Sequence, residues 1–174
     1  MEIVKNDADL EKAFDKHKNY IELKYNPGKI DWPKCVTAVL YSSCNGKIYP
    51  PEHATVMVFY HKTDLYIEFG KILDLSISHS RIREIIGYTK NISIRGGDLF
   101  ASIDSPNICI YYCHILSLHT EAEGILMEKC EFEGQLAISP KFLTLRHMTA
   151  NNIILKGKCA ITYINSAGKK LNAN

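Results

Sequence analysis

The segments Asn91-Ile-Ser-Ile-Arg95, Asn107-Ile-Cys-Ile-Tyr111 and Gly124-Ile-Leu-Met-Glu128 share one pattern, in which two large apolar residues flank a single residue. Successive side chains of a β-strand point to opposite faces, so each pair places two apolar side chains on one face. The pairs begin 16 and 17 residues apart. This spacing predicts a repeating coil, in which every coil adds one strand to a common stack and buries its apolar pair against the next.

The same pair recurs along the whole chain at intervals of 16 to 19 residues. The series is Ile21/Leu23, Val39/Tyr41, Val56/Val58, Leu75/Ile77, Ile92/Ile94, Ile108/Ile110, Ile125/Met127, Leu143/Leu145 and Cys159/Ile161. The alignment of the first three pairs stays open, because residues 36–41 and 55–60 allow other registers. A coil this short excludes a strand–helix–strand crossover and favours two or three short strands joined by tight turns.

Further strands follow the secure pairs. Their apolar positions are Leu99, Ala101 and Ile103, then Leu116 and Leu118, then Leu136 and Ile138, then Ile153 and Leu155. Before the repeat, residues 7–18 predict an α-helix, with Asn6 or Asp7 as its N-cap. Apolar residues at helical spacing give this helix one buried stripe, and we expect it to cover the N-terminal end of the stack.

A capping helix followed by stacked coils resembles the right-handed parallel β-helix class of solenoids. The resemblance covers residues 7 to about 171 and implies an all-β, right-handed parallel β-solenoid with about 16–19 residues per coil. We expect a single domain, 1–174, with the capping helix at 7–18, stacked coils at 20–165 and a polar tail at 166–174. A β-sandwich is the alternative, because many short strands separated by turns also suit that fold.

Stacking turns each outward position of the coil into a row of side chains. The predicted row between the apolar pairs is Ser76, Ser93, Cys109, Leu126, Thr144 and Ala160, and the next outward row is Ser78, Arg95, Tyr111, Glu128, Arg146 and Thr162. Arg95, Tyr111, Glu128 and Arg146 would form a continuous strip. Tyrosine and arginine are enriched at protein-binding hot spots, although solvated neighbours on adjacent coils are the simpler interpretation. We expect a bend to turn Cys113, Cys130, Met148 and Ile164 into the core.

Two further surfaces are candidates for binding. The turn-rich insertions at residues 26–33 and 45–53 include Trp32, which either forms an exposed anchor or folds down to close the core; the second is favoured. In residues 78–87, Arg81 and Arg83, with His79, suit a phosphate or a carboxylate. The alternative for that segment is a loop or helical turn that joins two coils.

Catalytic motifs are missing from the sequence. Pectin-degrading and related β-helix enzymes cluster carboxylates on one sheet, whereas the outward rows here contain Glu128 alone. The nucleophile–base pairs Cys109 with His114 and Cys113 with His114 lack a visible third group. The gaps between Cys35, Cys44, His53 and His61 match no compact zinc site. We therefore expect no catalytic residue, no metal and no cofactor.

The formal net charge is +2, which argues against a strongly basic nucleic-acid binder, so nucleic acid is not favoured as a partner. No signal peptide or membrane span is visible, and we expect a cytoplasmic protein with reduced cysteines.

These features favour a non-enzymatic protein-binding module. By analogy with small phage and mobile-element proteins, its concrete form would be an inhibitor of a host defence complex. The alternatives are a carbohydrate-active β-helix enzyme and a self-assembling structural protein. Open solenoid ends also make a homodimer an expectation.

Overall fold

The computed structural model describes residues 1–44, 46–59, 64–133, 136–150, 153–155, 158–168 and 172–173. Within these residues the elements are α1 (Asp7–Asp15) and the strands β1 (Glu2–Val4), β2 (Tyr20–Leu23), β3 (Ala38–Ser42), β4 (Lys47–Ile48), β5 (Thr55–Phe59), β6 (Asp64–Ser78), β7 (Arg81–Ser102), β8 (Asn107–Thr120), β9 (Gly124–Glu128), β10 (Glu131–Phe132), β11 (Leu136–Ile138), β12 (Phe142–Arg146), β13 (Thr149–Ala150), β14 (Ile153–Leu155), β15 (Ala160–Ile164), β16 (Ala167–Gly168) and β17 (Asn172–Ala173).

These strands stack as a parallel β-solenoid of about 9 turns. Every described strand pair is parallel. This confirms the predicted fold, while the alternative of a β-sandwich is wrong, because sandwiches are built from antiparallel sheets. The hand of the coil stays a prediction. The pairing continues into residues 166–174, where β16 pairs with β13 and β17 with β14.

The predicted apolar pairs stack in register through eight coils, including the three whose alignment was open. The first residues of the pairs form one column of stacked side chains: Ile21, Val39, Val56, Leu75, Ile92, Ile108, Ile125 and Leu143. We call the sheet that carries these pairs the first sheet. In the last coil the prediction is wrong, since Ile161 and Tyr163, rather than Cys159 and Ile161, pair with Leu143 and Leu145. Hydrogen bonding to β12 sets this register, and it leaves Tyr163 exposed.

The second row of core positions follows the prediction with one exception. Leu99, Ala101, Ile103, Leu118, Leu136, Ile138 and Leu155 are buried. Leu116 is instead the extra residue of a bulge, because Leu99 pairs with Ile115 and Phe100 with Ser117. Ile115 therefore takes the buried place. The side chain of Ile153 lies outside the described residues.

The N-terminal helix is shorter than predicted and is preceded by a strand that the sequence pattern did not indicate. The side chain of Asn6 accepts a hydrogen bond from the amide of Asp9, which confirms the cap. The helix ends before residue 18 because His17 adopts a left-handed conformation (φ 49°) and the amide of Lys18 donates to the carbonyl of Ala13 at 3.0 Å. β1 pairs with β2, so it adds one strand to the N-terminal end of the stack.

At the end of its strand in the first sheet, each described coil but one bends at a residue in the left-handed conformation. We call the row of these residues, Ser43, His79, Gly96, Tyr112, Lys129, His147 and Asn165, the left-handed corner. The amides of His79, Lys129 and His147 donate to carbonyls of the next coil at 2.9 to 3.0 Å, so the corner is part of the hydrogen-bonded stack. This bend turns Cys113, Cys130 and Met148 into the core as expected. Ile164 is exposed instead, because the last coil is shifted.

Two buried cysteine thiols form hydrogen bonds to the backbone inside the left-handed corner. The thiol of Cys113 donates to the carbonyls of Tyr111 (3.3 Å) and Ile94 (3.8 Å), and that of Cys130 to those of Glu128 (3.4 Å) and Ile110 (3.5 Å). Each thiol therefore links one coil to the coil before it. At Gly97 (φ 99°) no side chain fits, because a Cβ would collide with the carbonyl oxygen of Ser80.

Three buried cysteines are expected to be chemically inert in the folded protein. Burial raises the pKa of Cys44 and Cys113 to about 12 and also raises the pKa of Cys130, so the reactive thiolate is scarce. Native alkylation with iodoacetamide at pH 8, followed by mass spectrometry, should label these three only after unfolding. The half-buried Cys35 and Cys109 are the internal controls. Fast native labelling of Cys113 would contradict the buried row of thiols.

The same pKa shifts predict loss of stability in alkali. A thiol whose pKa is raised in the folded state contributes stability below its unfolded pKa of 9.0, and that contribution disappears as the pH rises towards about 12. The urea midpoint should therefore fall between pH 9 and pH 12. A Cys113→Ser variant should show a smaller fall, since serine does not ionise in this range. An identical fall in both proteins would show that Cys113 is not the cause.

Candidate binding site at the left-handed corner

The predicted strip of outward side chains is continuous in the structure. Arg95 pairs with Tyr111, Tyr111 with Glu128, and Glu128 with Arg146. The member that follows Arg146 is Ile164 and not Thr162, because the last coil is shifted by two residues. For the same reason Thr162, and not Ala160, follows Thr144 in the row between the apolar pairs. The structure thus brings together the four residues that were selected from the sequence.

The members of the strip contact one another from coil to coil. The guanidinium carbon of Arg95 lies 5.6 Å from the centre of the Tyr111 ring, a cation–π distance. Arg146 and Glu128 form a loose ion pair, 4.0 Å between nitrogen and oxygen. Burial, with a side-chain hydrogen bond to Cys109, raises the pKa of Tyr111, so its hydroxyl stays neutral. The strip is therefore a continuous outward surface whose charged and aromatic side chains lie near one another on adjacent coils.

Tyr112 is a site residue that the sequence analysis missed. It occupies the left-handed corner, directly after Tyr111 in the strip, and its side chain is 51% exposed. Two cations flank its ring: the guanidinium carbon of Arg95 at 5.9 Å and the ammonium nitrogen of Lys129 at 5.2 Å. Arg95 therefore lies near two tyrosine rings at once. Tyr112 extends the strip around the edge of the first sheet.

The backbone of Tyr112 is strained. Its φ of 56° lies in the left-handed region, which costs a residue with a Cβ about 1–2 kcal/mol. Apart from Tyr112, the corner contains only glycine and short or polar residues, and histidine and asparagine are among the types that tolerate this conformation best. A bulky, exposed aromatic residue is the exception in the row. Strained residues of this kind cluster at functional sites.

We define the corner patch as Arg95, Tyr111, Tyr112, Glu128, Lys129 and Arg146. It contains three cations and one carboxylate, so its formal charge is 3 − 1 = +2. The side chain of Glu128 is 22% exposed and that of Arg146 is 44% exposed, so the cation of this pair faces solvent more than the anion does. The corner patch is therefore an aromatic surface with a positive charge.

The part of the first sheet next to the corner patch is uncharged. The row between the apolar pairs begins at Glu22, which is buried and paired with Lys24. From there it carries no charge and reads Leu40, Met57, Ser76, Ser93, Cys109, Leu126, Thr144 and Thr162. Eight coils at about 4.8 Å spacing give this row a length of about 34 Å. An uncharged row of this length beside tyrosine and arginine is typical of a protein-binding surface, whose centre is depleted of charge.

Arg81 and Arg83 hold carboxylates of the chain itself. The Nε of Arg83 donates to Asp64 Oδ2 at 3.0 Å, and the Nε of Arg81 lies 3.6 Å from Asp64 Oδ1 and 3.5 Å from Asp98 Oδ2. The interpretation of residues 78–87 as a loop or helical turn is wrong, because β6 extends to Ser78 and β7 begins at Arg81. His79 belongs instead to the left-handed corner, where its ring packs edge-on against Phe59.

Trp32 lies in a cleft formed by the two early insertions. The cleft has a volume of about 970 Å³ and is lined by residues 29–34 and 49–53, with Glu68, Phe69, Gly70 and Ile86 at its base. The indole Nε1 donates to the carbonyl of Tyr49 at 2.9 Å, and the ring packs edge-on against Phe14 of α1. Trp32 is half-buried against the core, so it ties the insertions together as well as lining the cleft.

The charges around this cleft are mixed. Lys47 pairs with Glu68 at 2.6 Å, and both Lys29 and Lys47 lie near the Tyr49 ring, at 5.9 Å and 5.8 Å from its centre. Glu52 places its carboxylate over Gly70. With cations and carboxylates alternating, the lining favours no particular class of ligand. The cleft is therefore secondary to the corner patch as a binding site.

The candidate nucleophile–base pairs are not assembled. Cys113 points into the core, where burial raises its pKa to about 12 and its thiol donates to backbone carbonyls. His114 faces outward on the other side of the strand, 3.4 Å from Asp98 and 3.5 Å from Glu133. Cys109 lies in the uncharged row of the first sheet, across the corner from His114. Neither cysteine contacts His114 among the described hydrogen bonds.

Searches for related proteins give no further evidence. No family model, curated protein or solved structure matches the chain. No group of three metal-binding side chains occurs among the residues that the structure describes. In the same residues, no helix is long and apolar enough to cross a membrane. The assignment of a function therefore rests on the geometry of the chain itself.

Replacement of Tyr112 tests whether this residue serves the fold. In Tyr112→Asn, relief of about 1–2 kcal/mol of backbone strain offsets the loss of two exposed cation–π contacts of about 0.5–1 kcal/mol each. The free energy of unfolding in urea should therefore change by less than about 1 kcal/mol. Tyr111→Asn, the matched control in an extended strand, should lower it by about 1 kcal/mol. A larger loss in Tyr112→Asn than in the control would make Tyr112 a structural residue.

Proposed function

We propose that this protein is a non-enzymatic binding module that recognises a protein partner with the corner patch and the adjacent uncharged row of the first sheet. The observation that carries the proposal is Tyr112, an exposed tyrosine in a strained conformation between two cations. Nothing in the local packing requires an aromatic side chain at this position, since the same row accepts serine, glycine and asparagine in other coils.

The composition of the corner patch supports recognition of a protein. Tyrosine and arginine dominate binding hot spots because they bury a large area while keeping one polar group available. Arg95, Tyr111 and Tyr112 provide this combination in contact with one another. The uncharged row beside them supplies area that a partner can cover without desolvating charges.

The rigidity of the solenoid also supports this function. Association is weakened when side chains and loops must be ordered on binding. Here the corner amides are hydrogen-bonded to the next coil, and neighbouring side chains hold Arg95 and Lys129 before any partner arrives. The surface is therefore preorganised, and little ordering is needed on binding.

A more specific proposal concerns the identity of the partner and the place where the protein acts. A small binding protein with no assembled catalytic group in its described residues suits an inhibitor that blocks a larger complex by covering its surface. Supported only by the analogy with phage and mobile-element proteins, we propose a host defence complex as the target and the cytoplasm as the place of action.

Photocrosslinking from Tyr112 tests the proposal. Benzoylphenylalanine replaces Tyr112 in one protein and Phe100 in another, and both are incubated with extract of the native host. Phe100 is the matched control, because it is 50% exposed but lies beyond the corner, outside the first sheet. We expect a discrete protein crosslink from position 112 and none from position 100, read by mass spectrometry.

The other outcomes decide between the alternatives. Equal crosslinking from both positions would reject the corner patch as the binding surface. A crosslink from position 112 to a second copy of the chain would replace the proposal with self-assembly. If position 112 gives no crosslink, the protein-binding function falls, and a carbohydrate-active enzyme becomes the alternative to test.

A further inference from the structure

The cations of the corner patch are held by aromatic rings more than by carboxylates. Within the described residues, Arg95 and Lys129 form no ion pair, and both lie over the ring of Tyr112, at 5.9 Å and 5.2 Å. A tyrosine ring holds a cation in place without neutralising its charge. Glu128, the carboxylate of the patch, is paired with Arg146. Arg95 and Lys129 therefore keep a full positive charge that is available to a ligand.

The two cations have a defined spacing. Arg95, Tyr112 and Lys129 belong to three successive coils, as the pairing of Arg95 with Tyr111 and of Tyr111 with Glu128 shows. Two coil steps of about 4.8 Å separate the backbones of Arg95 and Lys129 by about 10 Å. In an extended peptide, residues three apart span about the same distance, at about 3.3–3.6 Å per residue.

We infer that the corner patch binds an acidic segment of its partner protein, with two carboxylates about three residues apart on Arg95 and Lys129 and an apolar side chain on the ring of Tyr112. This inference rests on the proposed function. Charge-assisted hydrogen bonds from arginine and lysine to carboxylates provide the recognition. The exposed ring between the two cations covers the space that separates the carboxylates.

The surroundings of the corner patch favour a short acidic peptide over nucleic acid. Nucleic-acid binders present a continuous basic track along the phosphate backbone. Here the row beyond the corner contains Asp98 and Glu131, which pair with His114 in register and would repel a phosphate chain that ran across it. On the other side, the row between the apolar pairs contains no cation. The positive surface is therefore confined to a few coils.

The test uses the purified chain labelled with nitrogen-15 and three probes: short poly-L-glutamate, poly-L-lysine and single-stranded oligothymidylate. Poly-L-glutamate should shift the amide resonances of Arg95, Tyr112 and Lys129, and poly-L-lysine should not. Raising the ionic strength should weaken the binding, because exposed charges are screened. The Arg95→Gln/Lys129→Gln variant should bind poly-L-glutamate at least about tenfold more weakly.

Lys141→Gln is the matched control, since Lys141 is an exposed lysine that pairs with Glu123 away from the corner; it should bind as tightly as the unmodified chain. The amide spectrum of the double variant itself, unchanged away from the corner, shows that it is still folded. Poly-L-glutamate that shifts no corner resonance would overturn the inference, while a crosslink from position 112 would leave the proposed function standing. Tighter binding of oligothymidylate at the same resonances would overturn it in favour of nucleic acid.

Discussion

Parallel hydrogen bonding between successive coils is the constraint on which the structure depends. It forces equivalent positions to lie above one another, so each side chain must pack against the equivalent side chains of the coils before and after it. At the left-handed corner the constraint is strictest. The backbone bends there in every described coil but one, the amides of His79, Lys129 and His147 donate to the next coil, and Cys113, Cys130 and Met148 turn into the core.

Under the proposed function, this constraint explains how a surface without loops can carry a binding site. The stack fixes the backbone of a residue at the corner. Its side chain therefore points outward at the edge of the first sheet. Tyr112 has a strained backbone conformation at this position, and the cations of Arg95 and Lys129 lie over its ring. Under the proposed function, backbone strain and binding are therefore coupled at this one residue.

Sequence reasoning predicted the stack and the strip because both follow from periodicity, which hydrogen bonding preserves. It failed at the last coil, where Cys159 and Tyr163 are both plausible core residues and only the register to β12 decides between them. Tyr112 was missed because backbone conformation leaves no apolar pattern. The sequence offers no signal at this position, because tyrosine also occurs four residues after the start of the pairs at Ile21 and Val56, as Tyr25 and Tyr60.

Native-state amide hydrogen exchange shows whether the left-handed corner belongs to the rigid stack and holds the corner patch in place. His79, Lys129 and His147 have exposed side chains, but their backbone amides donate to carbonyls of the next coil. We predict that all three amides exchange at least about a thousandfold more slowly than unprotected amides. Exchange at the unprotected rate would mean that the corner is an open loop, and the preorganised patch would not exist.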